Sequence, residues 1–441
     1  MIYSMRVLTR IGMIGWFGHS AVRIMLAGLL SLLVFACASG YRPLPNAVYS
    51  DEDYTPFREL NPALQSQEVN LMYITDRQWD DNAKNGPDYT YHRSTTMEFG
   101  YTHLDIDPKL TWDELVDRTV SGSDDTTIPR PVFKGVTRKG HFPETPPLFI
   151  ESEGGDLSYD PDWQTDFSEA AVKLQHEIAS QLAMAPVKEV VISVHGIRNS
   201  LQDQATAFGL WWHLGGRQRV PIAYSWPAGK KGLLSFYAYD RESGEFTLFH
   251  LKQVLRLIAE MPGVEGIHVV GHSRGTDVAI TALRELILVD RAAGRDPRQS
   301  LKLKNLILLA ADLDIDVVNQ RFGSEGLWTA FDRVTIYATK DRALSGAKAI
   351  FASSSRLGQT TLETVPEAFK NGRWDDRNVD FIFYEGGFGG KGISSHSYYL
   401  LPAVGADLVM LMRGHPPGAE YGRPLEEVDG HLFVMKEDYL R

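Results

Sequence analysis

The chain reads as an α/β protein built on a doubly wound, mostly parallel sheet, and three observations predict this. Short continuous runs rich in β-branched and aliphatic residues recur at 190–194, 220–224, 266–270, 303–310 and 333–338. A run without polar alternation suits a strand buried on both faces. Stretches with apolar residues at helical spacing, at 170–182, 246–261 and 276–288, alternate with these runs, the order expected of βαβ units. His195, Ser273, Asp312, Asp341 and His396 all follow the ends of apolar runs, where the working residues of such sheets sit.

The first forty residues stand outside that pattern. Arg6, Arg10 and Arg23 precede an uninterrupted apolar or small stretch, 24–36, which ends in VFAC at 34–37. The stretch is too short to span a bilayer, and His19 and Arg23 bar its extension. It reads as an export signal over 1–36 with a bacterial lipobox, so cleavage is expected before Cys37 and lipid on Cys37. Ala38 rather than Asp follows, which points to the outer membrane of a bacterial cell envelope, facing the periplasm. The single cysteine precludes an internal disulfide and a multi-cysteine metal site.

Residues 37–66 carry Pro43, Pro45, Pro56 and Pro62 with little periodicity and read as a tether. Residues 67–441 then form one large domain. In it 69–75 is a first strand and 97–106 a second, while 107–160, rich in Asp, Pro, Gly and Thr, is an insertion or long surface excursion. A last strand is expected at 379–384, then a glycine-rich loop to His396, then a final helix at 403–412. Hydrophobic residues make up 43% and charged residues 23%, enough apolar content for a sizeable core. The net charge of −11 repels phosphate backbones and argues against a nucleic-acid partner.

GHSRG at 271–275 matches the nucleophile elbow G-x-S-x-G. A bare match arises by chance in roughly a fifth of chains with this length and glycine content. Here an apolar strand run precedes it and a helical pattern follows it, which is the context the motif requires. Ser273 is therefore the candidate nucleophile. The base must be a histidine, and His396, His415 and His431 lie downstream. His396 follows the expected last strand, whereas the other two lie beyond the final helix. Asp341 follows the penultimate strand and is the candidate acid. Asp312, after the strand before it, is the runner-up; Asp312, Asp314 and Asp316 also suit helix capping. The oxyanion hole needs two backbone N–H donors, assigned to Arg274 and to Ile197 after the His195-Gly196 turn. The aromatic segment 226–249 suits either an acyl-pocket wall or helix packing. GGFGGKG at 386–392 fails the phosphate-loop spacing because Glu385 holds the first glycine position.

YITDR at 73–77, RSTTMEFGYTHL at 93–104, SVHGIRNS at 193–200, YSWPA at 224–228, VVGHSRG at 269–275, IYATKDRAL at 336–344 and SHSYY at 395–399 together resemble one family. It is the α/β-hydrolase family of bacterial esterase/lipase-like proteins of unknown function, and the resemblance runs from about 68 to 412. It implies an α/β-hydrolase fold and the triad Ser273, Asp341 and His396, which the chain order reaches separately. Arg274 departs from the small or apolar residue that often follows the serine in that family, and a cation there would narrow the site or attract acidic substrates. The activity so implied is hydrolysis of a small-molecule or lipid ester through an acyl-enzyme, with no metal or organic cofactor required. An acyltransferase with the same triad and a non-catalytic envelope lipoprotein are the alternatives. Acyl length and oligomeric state are not legible.

Overall fold

The computed structural model describes residues 44–440 apart from 51–53, 85, 87, 122–129, 153, 231–234, 342–343, 345–354, 371–377 and 389–394. Residues 1–43, with the expected export signal and Cys37, and most of the glycine-rich loop lie outside the described residues. Strands follow in the order β1 (Leu71–Asp80), β2 (Asp88–Asp107), β3 (Arg130–His141), β4 (Phe149–Glu151), β5 (Leu157–Tyr159), β6 (Glu189–Val194), β7 (Val220–Ser225), β8 (Gly266–His272), β9 (Leu303–Leu309), β10 (Arg333–Ala338), β11 (Val379–Tyr384), β12 (Glu426–Asp429) and β13 (Leu432–Met435). Eleven of them form one sheet in the order β12-β13-β11-β10-β9-β8-β6-β7-β1-β2-β3, and β4 and β5 pair apart from it. From β13 to β1 every neighbouring pair is parallel. The outer strands β2, β3 and β12 pair antiparallel.

The apolar runs form the middle of this sheet because their alternate residues feed two cores. Val190, Ile192 and Val194 of β6 pack with Leu174, Ile178 and Leu182 of the helix Pro161–Met184 and with Leu251, Val254 and Ile258 of the helix Ser235–Ala259. Val191 faces the other way, toward Leu201, Ala205 and Phe208 of the helix Leu201–Leu214 and Val404 and Leu408 of the helix Pro402–Met412. A strand with both faces covered has no polar side, hence the unbroken apolar run. From β6 the chain passes to β7 on one side and later returns to β8 on the other. That reversal opens a crevice at the carboxyl ends of β6 and β8.

Three expectations need correction. Within the 37–66 segment read as a tether, Leu44, Val48, Phe57 and Leu60 are buried, and Tyr49 donates to the Leu214 carbonyl at 2.7 Å. Among the described residues, regular structure there is limited to two short 3-10 turns, Asn46–Val48 and Pro62–Leu64, and the apolar side chains between and beside the prolines dock as a strap. Residues 107–160 do more than skirt the surface: they carry the helix Trp112–Val120 and β3, which extends the sheet along β2. Strand β11 is not the last, because β12 and β13 follow the final helix and β13 pairs with β11.

Candidate active site

Strand β8 runs straight into Gly271-His272-Ser273-Arg274, and the helix Gly275–Ala292 starts at once. Ser273 adopts a φ of 53°, a left-handed backbone that L-residues rarely take without compensation. The compensation is visible. The Ser273 amide donates to the Leu309 carbonyl at 2.9 Å, and its carbonyl accepts the amides of Thr276 and Asp312 at 3.1 and 3.2 Å. The Thr276 hydroxyl adds a 2.6 Å bond to the same carbonyl. The elbow glycines are there for close approach: a Cβ at Gly275 would lie 2.2 and 2.3 Å from the carbonyl oxygens of His195 and Val194, and one at Gly271 would lie 2.9 Å from the Thr276 Cα.

His396 reaches this turn from the segment Ser395–Leu400. Tyr398, two residues on, anchors that segment: its hydroxyl donates to the Tyr337 carbonyl at 2.7 Å and accepts the Ala310 amide at 3.0 Å. The His396 Nε2 lies 2.9 Å from the Ser273 Oγ, and its Nδ1 lies 2.6 Å from the Asp341 Oδ2. A carboxylate only accepts, so Nδ1 carries a proton and the neutral ring offers its Nε2 lone pair to the serine hydroxyl. Asp341 is fully buried and Ser273 is 3% exposed. Burial alone would lower the His396 pKa, but the Asp341 charge and hydrogen bond outweigh it and raise the value above the ordinary 6.5.

Asp312, the runner-up acid, makes no hydrogen bond to His396 among the described residues. Its carboxylate accepts the Tyr237 hydroxyl at 3.2 Å and lies 3.3 Å from the Arg356 Nε, while its amide supports the elbow. Asp314 caps the short helix Ile315–Val318, and Arg274 turns toward Asp277, 2.7 Å away. His415 bonds the Tyr421 carbonyl and His431 packs on Phe381, so neither lies at the serine.

The turn after β6 packs directly on Ser273. A Cβ at Gly196 would meet the Ser273 Cβ at 2.7 Å and its Oγ at 3.2 Å. Among the described residues the amides of Ile197 and Arg274 have no acceptor within the protein. Of the aromatic segment, Trp226 stacks on His195 with ring centroids 5.2 Å apart, and its Nε1 donates to the His195 carbonyl at 2.6 Å. Tyr237 reaches Asp312, whereas Phe246 and Phe249 pack against His250.

Two residues not singled out from sequence complete the site. His272 donates from Nε2 to the His396 carbonyl at 3.1 Å, and burial, then the His396 charge, pushes its pKa down to about 3. Arg77, in the second half of β1, lies 3.1 Å from the His195 Nε2. Its only sequence signal is its place in YITDR, a charged residue following an apolar run.

No curated protein matches the chain. Among solved structures, a proposed cell surface hydrolase from Lactobacillus plantarum WCFS1 is similar at 11% identity and a TM-score of 0.30, over 54% of this chain and 96% of that one. DphMB1 is similar at 14% identity and a TM-score of 0.24, over 51% and 77%. The carboxylesterase CesB from Bacillus subtilis is similar at 12% identity and a TM-score of 0.19, over 49% and 81%. Scores this low transfer nothing to this chain. The family described as alpha/beta hydrolase of unknown function (DUF900) matches residues 170–405, which span β6 to the final helix and include the elbow, Asp341 and His396. With more than half of its length so matched and the doubly wound sheet in place, the chain belongs to that α/β-hydrolase family.

Proposed function

We propose that the protein is a serine hydrolase that cleaves carboxylic esters through an acyl-enzyme. The observation that carries this reading is the unbroken contact from Asp341 through His396 to Ser273, at 2.6 and 2.9 Å. Ser273 Oγ attacks the ester carbonyl carbon while His396 Nε2 takes the hydroxyl proton. Asp341 holds the ring and stabilises the imidazolium. The amides of Ile197 and Arg274 stabilise the oxyanion. Collapse of the tetrahedral adduct breaks the bond to the alcohol, which leaves with the proton from His396. Water, deprotonated by the same nitrogen, then attacks the acyl carbon; the acyl–Oγ bond breaks as His396 returns that proton to Oγ, which releases the acid and restores Ser273. In this reading Cys37 carries lipid and holds the enzyme at the bacterial envelope, within reach of small-molecule or lipid esters.

A fluorophosphonate probe tests the core of the proposal. It should label the wild type and leave Ser273→Ala unlabelled; equal labelling would point to a non-catalytic scaffold. Turnover of p-nitrophenyl esters of rising chain length then gives the acyl preference.

A further inference from the structure

Arg77 is 1% exposed, and no carboxylate lies within ion-pair distance among the described residues. All five of its donors are nevertheless used. Nε donates to the Ser225 Oγ at 2.9 Å; Nη1 donates to the carbonyls of Ala228 and Thr90 at 2.7 and 3.2 Å; Nη2 donates to the Asn199 carbonyl at 2.7 Å and to the His195 Nε2 at 3.1 Å. One buried guanidinium thus ties together the chain segments after β6 and β7 and the neighbouring β2. Burial lowers its pKa to about 10, so it stays cationic at neutral pH.

The contact with His195 has a chemical consequence. A guanidinium can only donate, so the His195 Nε2 facing it must be bare. The ring proton then resides on Nδ1, 2.7 Å from the Gly196 carbonyl, to which it donates. In a planar trans peptide the carbonyl and the following N–H point in opposite directions. Holding the Gly196 carbonyl on one side therefore turns the Ile197 amide to the other. Trp226 fixes the preceding carbonyl, that of His195, from its own side.

We propose that Arg77 is a positioning residue of the oxyanion hole, acting by holding His195 as its Nδ1–H tautomer so that the Gly196–Ile197 peptide is locked with its amide toward Ser273. The inference rests on the serine-hydrolase reading and adds a role for an arginine on β1, the strand two places from β6. Arg77 touches no reacting atom in this arrangement.

The test must separate a hydrogen-bond role from plain packing on Trp226. His195→Asn keeps a donor close to the Nδ1 position but loses the ring, whereas His195→Phe keeps the ring and loses the donor. The rate of fluorophosphonate labelling, whose phosphoryl oxygen occupies the oxyanion hole, is the activity readout. His195→Phe should be slower by about 10²–10³-fold, the usual effect of one lost oxyanion donor, and His195→Asn should stay within about tenfold of wild type. Arg77→Lys, which cannot reproduce the five-donor fork, should lose at least about tenfold in kcat with KM little changed. His195→Phe matching or exceeding His195→Asn would overturn the proposal. So would ring ¹⁵N shifts of wild-type His195 showing an Nε2–H or doubly protonated imidazole at pH 7, a measurement that requires no variant to fold. A wild type that labels no faster than Ser273→Ala defeats the hydrolase reading itself. A clear difference there with the reverse Asn/Phe ranking defeats the Arg77 role alone.

Discussion

Three imidazoles surround Ser273, and their partners set them different tasks. His195 is held well below the usual histidine range by burial and then by Arg77, and His272 by burial and then by His396. Only His396 has a carboxylate partner, and only its pKa rises. Environments that drive titratable groups apart in this way separate the proton acceptor from its neighbours. His396 must be neutral to accept the serine proton, so kcat/KM should fall as pH drops through a midpoint above 6.5, and a midpoint at or below that value would contradict the pairing. The sign for folding is the opposite. A histidine whose folded pKa is raised contributes stability fully below its unfolded pKa and loses it as pH rises through the folded one. The enzyme should therefore be most active where this pair adds least to stability. Asp341→Asn should cost roughly three to four orders of magnitude in kcat, because the ring loses its orienting acceptor. Asp312→Asn keeps the backbone bond to the elbow and should cost less than about tenfold. The reverse ranking would exchange the two roles.

At the scale of elements, function depends on how closely the end of β6 approaches the start of the helix Gly275–Ala292. Gly275 touches two backbone carbonyls there, and backbone cannot yield as a side-chain tip can. Gly275→Ala should destabilise the fold by about 3 kcal/mol, read as a lower urea midpoint, together with lost labelling. The central strands were legible because burial on both faces leaves an unbroken apolar run. Strand β3 was not: it is an edge strand, only one of whose residues is buried, with Lys134, Arg138 and Lys139 along it, and charged edges are how sheets avoid pairing with other chains. Strands β12 and β13 have four residues each, too few for a periodic signal. The helix expected over 246–261 begins earlier, at Ser235, and so takes in Phe236, Tyr237 and Tyr239 of the aromatic segment.

Across the whole molecule, the C-terminal segment is locked to the core by one buried carboxylate. Asp407 accepts Nε and Nη2 of Arg423 at 2.9 and 2.8 Å and the hydroxyls of Tyr337 and Tyr439 at 2.6 and 2.5 Å. Both members of the ion pair are fully buried. Asp407→Ala would strand the Arg423 charge and should cost about 3–5 kcal/mol in chemical denaturation. An unchanged midpoint would mean that the tail adds nothing to the fold. At the other end of the chain, Cys37→Ser should release the protein from membrane fractions or leave it unprocessed, and unchanged fractionation with normal processing would refute lipidation.

The sequence alone determined the alternation of buried strands and helices, the G-x-S-x-G turn at Ser273 and the chain order of the candidate nucleophile, acid and base. Each of these is written locally, as an apolar run, as glycines that admit a left-handed serine, or as a residue closing a strand. Tertiary structure decided which carboxylate meets His396, since Asp312 and Asp341 both close strands and differ only in what faces them. It also decided the part played by Arg77, whose five partners come from segments up to 151 positions away. A hydrogen bond between distant segments leaves no period in the sequence, because its geometry exists only once the sheet has brought its carboxyl ends together.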